Sequence, residues 1–151
     1  MTLRIVLNSN TIKNNTLKKE PIMGKYGQVA SKAVSLLILK EVSDPVDAWS
    51  VAAKQVFPNS ESSRTKSCPR STFLGLCEDG YISTVQPGKY TRSQKNKAYA
   101  LSALALIEKN QALLMDEKEL WSLVINHSDK KYNSQMDVVI SLWNDGVIAK
   151  Y

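Results

Sequence analysis

The chain has 151 residues, 43% hydrophobic and 23% charged, enough apolar material for a packed core without a metal or disulfide framework. Its two cysteines, Cys68 and Cys77, match no zinc or CxxC spacing, and no fully apolar run, LLIL among them, comes near the length needed to span a bilayer. Net charge is +6 with pI about 9.3, and it is uneven: residues 59–99 hold seven Lys/Arg against three Asp/Glu, residues 100–151 five against seven.

Residues 1–22 differ from the rest. TLRIVLNSN alternates Leu3, Ile5 and Leu7 on one face, as a strand does, and the polar TIKNNTLKKEP follows. They read as a loose leader without the apolar segment of a secretory signal, with Met23 as a candidate natural start. Cytoplasmic location is the expectation.

The first helix is expected over 26–40, with Tyr26, Val29, Ala30, Ala33 and Leu37 on one face. In SDPVDAW, Asp44 or Ser43 caps a second helix, Pro45 suits its first turn, and Val46, Trp49, Ala52, Ala53 and Val56 form its stripe. Phe57-Pro58 stops it. After the polar loop NSESSRTKS, a third helix is expected over 69–79, with Phe73, Leu76 and Cys77 inward. Gly80 stands where a left-handed residue ends a helix, with Tyr81 and Ile82 folding back. YISTV-QPG-KYT then reads as a short β-hairpin, and TRSQKNK as a basic linker.

The pattern recurs. Ala100, Ala103, Leu104 and Ile107 follow Ala30, Ala33, Val34 and Leu37 at an offset of 70, and Trp121 follows Trp49 at 72. Asp116 and Glu119 form a capping box for a helix with Leu120, Trp121, Val124 and Ile125. Asn133 or Ser134 caps a last helix with Val138, Val139, Leu142 and Trp143. Its ending, LWNDGVI, repeats LCEDGYI at an offset of 66. The expected architecture is therefore mainly α: a leader at 1–22 and two tandem tri-helical units at 23–93 and 94–151, with the hairpin after the first.

A helix pair, a third helix and a hairpin resemble the winged helix-turn-helix. That resemblance implies a third helix in the major groove, with Arg70, Ser71 and Thr72 toward DNA and Lys89 and Arg92 on the wing. The connection of about ten residues between helices two and three departs from the family's tight turn. The wording SSRTKSCPRSTFLGLCEDG, with YGQVASKAV and YNSQMDVVISLWNDG, also resembles a small bacterial family of unknown function, which implies a compact helical protein and no activity.

Chemistry is sparse. Cys68 would sit at a helix N-terminus beside Arg64, Lys66 and Arg70, a setting that activates thiols. His127 is the only histidine. Neither a metal set nor a P-loop emerges, and GKY at 24–26 and 88–90 lacks the glycine-rich approach. Asp79 and Asp145 are expected in solvent. No catalytic residue and no cofactor is expected. The favoured function is nucleic-acid binding, DNA or RNA, through Arg64, Lys66, Arg70, Ser71, Lys89, Arg92, Lys95 and Lys97, with Ser62 and Ser63 adding phosphate bonds. The alternative is a protein partner, as for an adaptor or small inhibitor, bound by the second unit. Trp121 and Trp143 would then face outward, although their helical spacing suits the core.

Overall fold

The computed structural model describes residues 23–149, so the leader and its expected strand lie outside the described residues. Among the described residues the protein is mainly helical and forms no sheet. The helices are α1 (Lys25–Ile38), α2 (Pro45–Val56), α3 (Glu61–Arg64), α4 (Ser67–Glu78), α5 (Gln94–Lys109), a 3-10 turn (Gln111–Met115), α6 (Glu117–Val124) and α7 (Gln135–Asn144).

Most starts follow the expected capping chemistry. The Asp44 carboxylate accepts from Val46 N–H at 2.8 Å, and Pro45 opens α2. The Asp116 carboxylate accepts from Glu119 N–H at 3.1 Å. Three expectations change. The loop after Pro58 contains α3, capped by Ser60. The basic stretch TRSQKNK is not a linker, because Ser93 caps α5 and places Lys95 and Lys97 on it. Ser134 precedes α7 without a side-chain cap, in a left-handed conformation at φ 66°.

The expected hairpin does not form. Tyr90 and Thr91 N–H donate to the Glu78 carboxylate, both at 2.8 Å, and Gly88 N–H donates to Glu78 O at 3.2 Å. These donors are spent on the end of α4, so no ladder closes across Pro87-Gly88.

The two glycine endings are as expected. Gly80 and Gly146 have φ of 80° and 73°. Tyr81 N–H reaches back to Leu76 O at 3.0 Å and Val147 N–H to Leu142 O at 3.4 Å, which is the same capping turn twice. The segments beyond them then pair with each other. Ile82 and Ile148 form an antiparallel bridge, in which Ser83 N–H donates to Val147 O at 3.2 Å and Ala149 N–H to Tyr81 O at 2.7 Å. Shifting each residue by 66 turns one bond into the other, so the pair has local twofold geometry. Gly80→Val and Gly146→Val should each cost about 1 kcal/mol or more, because a β-branched residue resists φ > 0. Gly80 should cost more, since Pro87 Cγ lies 3.2 Å from the added Cβ, whereas nothing described lies within 4 Å of it at Gly146. Thermal unfolding checks the ranking.

The core is shared between the two halves. Helices α4 and α7 are central, and residues 71–78 and 135–142 are buried on every side. α1 packs on α2 and α7, while α5 packs on α4. The first helix of each half thus lies on the third helix of the other. Both crossings use a glycine. An added Cβ on Gly75 would sit 2.9 Å from Lys97 Cα, and one on Gly27 would sit 2.6 Å from Asp137 Oδ1 and also strike Ser141 Oγ. Residues 31–40 and 101–110 run through the same order of buried, half-buried and exposed positions. Trp49 packs on Phe73 with ring centroids 5.3 Å apart, which ties α2 to α4.

Candidate nucleic-acid interface

The start of α4 is assembled from four elements. Ser60 Oγ accepts from Ser63 N–H at 3.3 Å and turns the chain into α3. The Tyr26 hydroxyl, from the first turn of α1, donates to Ser63 O at 2.9 Å, and its ring meets Phe57 at 5.0 Å. Lys66 Nζ lies 5.7 Å from the centre of the same ring, a cation–π contact. Arg64 donates to Pro58 O at 3.3 Å. Lys66 is the N-cap of α4 and supplies no side-chain cap, so the first backbone N–H groups of that helix meet no capping side chain. Arg64 and Arg70 are half-buried, and Lys66 is exposed.

The eight expected contact residues do not form one group. Arg64, Lys66 and Arg70 stand at the N-terminal end of α4. Lys89 and Arg92 are exposed on the segment folded over its other end, and Lys95 is exposed in the first turn of α5. Eight residues separate Arg70 from Glu78, about 12 Å along the axis. Ser71 is only 8% exposed and is removed from the interface, as is Thr72, whose hydroxyl donates to Cys68 O at 2.8 Å. Lys97 is already committed: its ammonium lies 3.2 Å from Glu78 and 2.7 Å from Asp79. Asp79 and Asp145 are exposed, as expected, but not without partners: Asp79 pairs with Lys97, and Asp145 accepts from Ser31 Oγ at 2.5 Å. Among the described residues, Lys97 makes the only ion pairs.

Sequence reasoning missed the buried acids. Burial alone would raise the Glu78 carboxyl, but bonds from Thr91, Tyr90 and Lys97 outweigh it and hold the group below the usual carboxylate range. A lowered folded pKa contributes stability above the unfolded pKa of about 4.3, lost as pH falls through the folded value. Glu78→Gln should therefore flatten the acid-side fall in stability below about pH 4. Denaturant melts from neutral to acid pH check this, and an unchanged acid profile would count against it. The other acid, Asp137, lies on α7 and accepts from Gly24 N–H at 3.0 Å and Gly27 N–H at 2.7 Å, which caps α1 from 110 residues away. A neighbouring bond runs from the Tyr132 hydroxyl to Glu117, and Asp137 N–H donates to the Tyr132 oxygen at 3.0 Å. Burial pushes Glu117, Tyr132 and Asp137 all upward. The one available signal was charge: no charged side chain lies between Arg70 and Glu78 or between Asp137 and Asp145.

Cys77 is buried, which pushes its thiol up, away from the thiolate a nucleophile needs. Cys68 is half-buried on α4, and His127 Nδ1 lies 2.7 Å from Ser122 Oγ at the end of α6. Among the described residues no group of three His, Cys, Asp or Glu could hold a metal ion. No described helix is long and apolar enough to cross a membrane.

A family model covers residues 23–149, the same span the structure describes. The chain belongs to a family of unknown function (DUF6979). No curated protein and no solved structure matches it. The family span begins at Met23, next to the Gly24 and Gly27 amides that Asp137 caps, and takes in both glycine endings and the bridge between them.

Proposed function

We propose that this member of the family is a non-enzymatic bacterial, cytoplasmic protein that contacts the nucleic-acid backbone through the N-terminal end of α4. The observation that carries the reading is the position of Arg64, Lys66 and Arg70 within a few residues of a helix start that has no side-chain cap. None of the three has an acidic partner among the described residues. Uncapped N–H groups and the positive end of the helix dipole favour a phosphate there. Lys89, Arg92 and Lys95 would make outlying contacts. The binding would be sequence-independent, since Ser71 and Thr72 are buried and α4 offers no face to a groove. The winged-helix likeness is thereby limited to the order of the helices. Residues 23–149 carry fifteen Lys/Arg against thirteen Asp/Glu, so the attraction is local rather than general.

The proposal includes an internal duplication, with units at 23–93 and 94–151. The exchanged bonds at Ile82 and Ile148, the repeated capping turn and the matching burial of 31–40 and 101–110 support it.

Fluorescence anisotropy with a random duplex and a single strand, over a salt series, tests binding. The slope of log affinity against log salt should be about −0.9 per phosphate contacted, so near −3 for three cations on duplex. An Arg64→Ala, Lys66→Ala, Arg70→Ala triple variant should lose it. Failure to bind at low salt would remove the reading.

A second reading, a protein partner held by the second unit, has one observation in its favour. Trp121 is buried, but Trp143 is only half-buried and borders an apolar hollow with Leu101, Leu104 and Ile148.

A further inference from the structure

The two capping turns are alike, but what lies over them is not. In the first half, residues 84–91 fold back across the end of α4. Val85 is 8% exposed, Pro87 closes on Gly80, and Glu78 holds the Gly88, Tyr90 and Thr91 N–H groups. In the second half, nothing described lies within 4 Å of the Cβ position on Gly146. Trp143 stands where Cys77 stands in the first half. With Gln111, Gly146 and Ile148 it borders one depression. With Tyr81, Leu101, Leu104 and Ala105 it borders a second, of about 370 Å³. Asn144, at the position of Glu78, is exposed and offers an amide to a passing backbone.

The first half therefore displays what fits such a surface. Its cover, residues 83–92, reads STVQPGKYTR: a non-helical peptide that turns at 83–85, with Val85 and Tyr90 as apolar side chains, Lys89 and Arg92 as cations, and no acid. The second half is close to neutral, with six Lys/Arg against seven Asp/Glu over residues 94–149, and Glu108 and Lys109 both border the larger depression, so the fit rests on the apolar side chains and on the likeness of the two capping turns. We infer that the surface beside Trp143 takes a non-helical apolar and basic peptide segment of a protein partner, laid over the end of α7 as residues 84–91 lie over α4. This rests on the protein-partner reading and is independent of nucleic-acid contact.

The probe is the synthetic peptide STVQPGKYTR, titrated into the full chain at up to roughly millimolar concentration, the range in which a tethered segment acts on its own site. The expected result is a saturable shift of the Trp143 indole resonance, lost when the peptide's valine and tyrosine are replaced by serine. Trp143→Ala should weaken binding by roughly tenfold or more. Ala105→Arg, an exposed rim position on α5, should do the same without disturbing the core. No shift, or binding unchanged in Ala105→Arg, overturns the inference. So does self-association by sedimentation that Ala105→Arg abolishes, since a second copy would then be the occupant. Bis-ANS is measured in parallel. If it binds the parent but not Ala105→Arg while the peptide fails, the peptide chemistry is wrong and the protein-partner reading survives. If neither binds, both fall.

Discussion

Gly75→Ala is expected to destabilise the protein by roughly 2–3 kcal/mol, although alanine is the better helix former by about 1 kcal/mol. The added Cβ would lie 2.7 Å from Lys97 Cβ and 2.9 Å from Lys97 Cα. A side chain can turn away, but a Cα moves only with its helix, so α5 must slide off α4. That movement would also pull Lys97 from Glu78 and Asp79, a half-buried pairing that α5 delivers from its first turn. Gly27→Ala is the instructive comparison, because its added Cβ meets the side chains of Asp137, Ser141 and Met23 rather than a backbone. Its cost should come through lost bonds to Asp137. Urea unfolding of both variants measures this. A Gly75→Ala protein as stable as the parent would mean that the α4–α5 crossing is not close-packed.

Asp137→Ala is expected to cost roughly 2–4 kcal/mol, because it leaves the Gly24 and Gly27 N–H groups at the start of α1 without their acceptor. Asp137→Asn should be nearly as harmful, since one carboxylate oxygen becomes an N–H₂ donor facing a backbone donor. Burial raises the Asp137 pKa, and the bonds from Gly27, Gly24 and Tyr26 only partly offset it. A raised folded pKa contributes stability that is full below the unfolded pKa, about 3.9, and is lost as pH rises through the folded value. Asp137 and Glu78 thus pull the acid profile in opposite directions, and Asp137→Asn should remove only the first contribution. Thermal melts at neutral and acid pH separate the two. A loss under about 1 kcal/mol in Asp137→Ala would show that water caps α1 as well as the carboxylate does.

The helices were legible because their signals are local. The stripe through Val29, Ala33 and Leu37, the Asp44 cap with Pro45, and the glycines at 80 and 146 each act within a turn or two of chain. The partner of each helix was not legible. Whether α1 lies on α4 or α7 depends on Gly27 meeting Ser141 and on Asp137 reaching Gly24, contacts more than 100 residues apart. The hairpin expected after Gly80 failed for the same reason. Its turn residues were sound, but a buried carboxylate at Glu78 outbid the ladder for the Tyr90 and Thr91 donors. Of the residues expected to contact nucleic acid, Lys66, Lys89, Arg92 and Lys95 are exposed, whereas Ser71 and Thr72 were expected outward and are buried, because residues 71–78 have no exposed side. An absence of charge along a helix was the sign of a central position.

The crossing of α1 over α7 has a temporal side. α1 leaves the ribosome about 110 residues before α7, roughly 5–20 s at ordinary synthesis rates. Throughout that interval the stripe from Val29 to Leu37 has only α2 to cover it, while α4 and α5 can close on each other as soon as both are made. The earliest helix in the described chain is among the last to be secured. A nascent chain stalled before Asp137 should therefore expose α1 to chaperones and proteases and leave the α4–α5 pair protected.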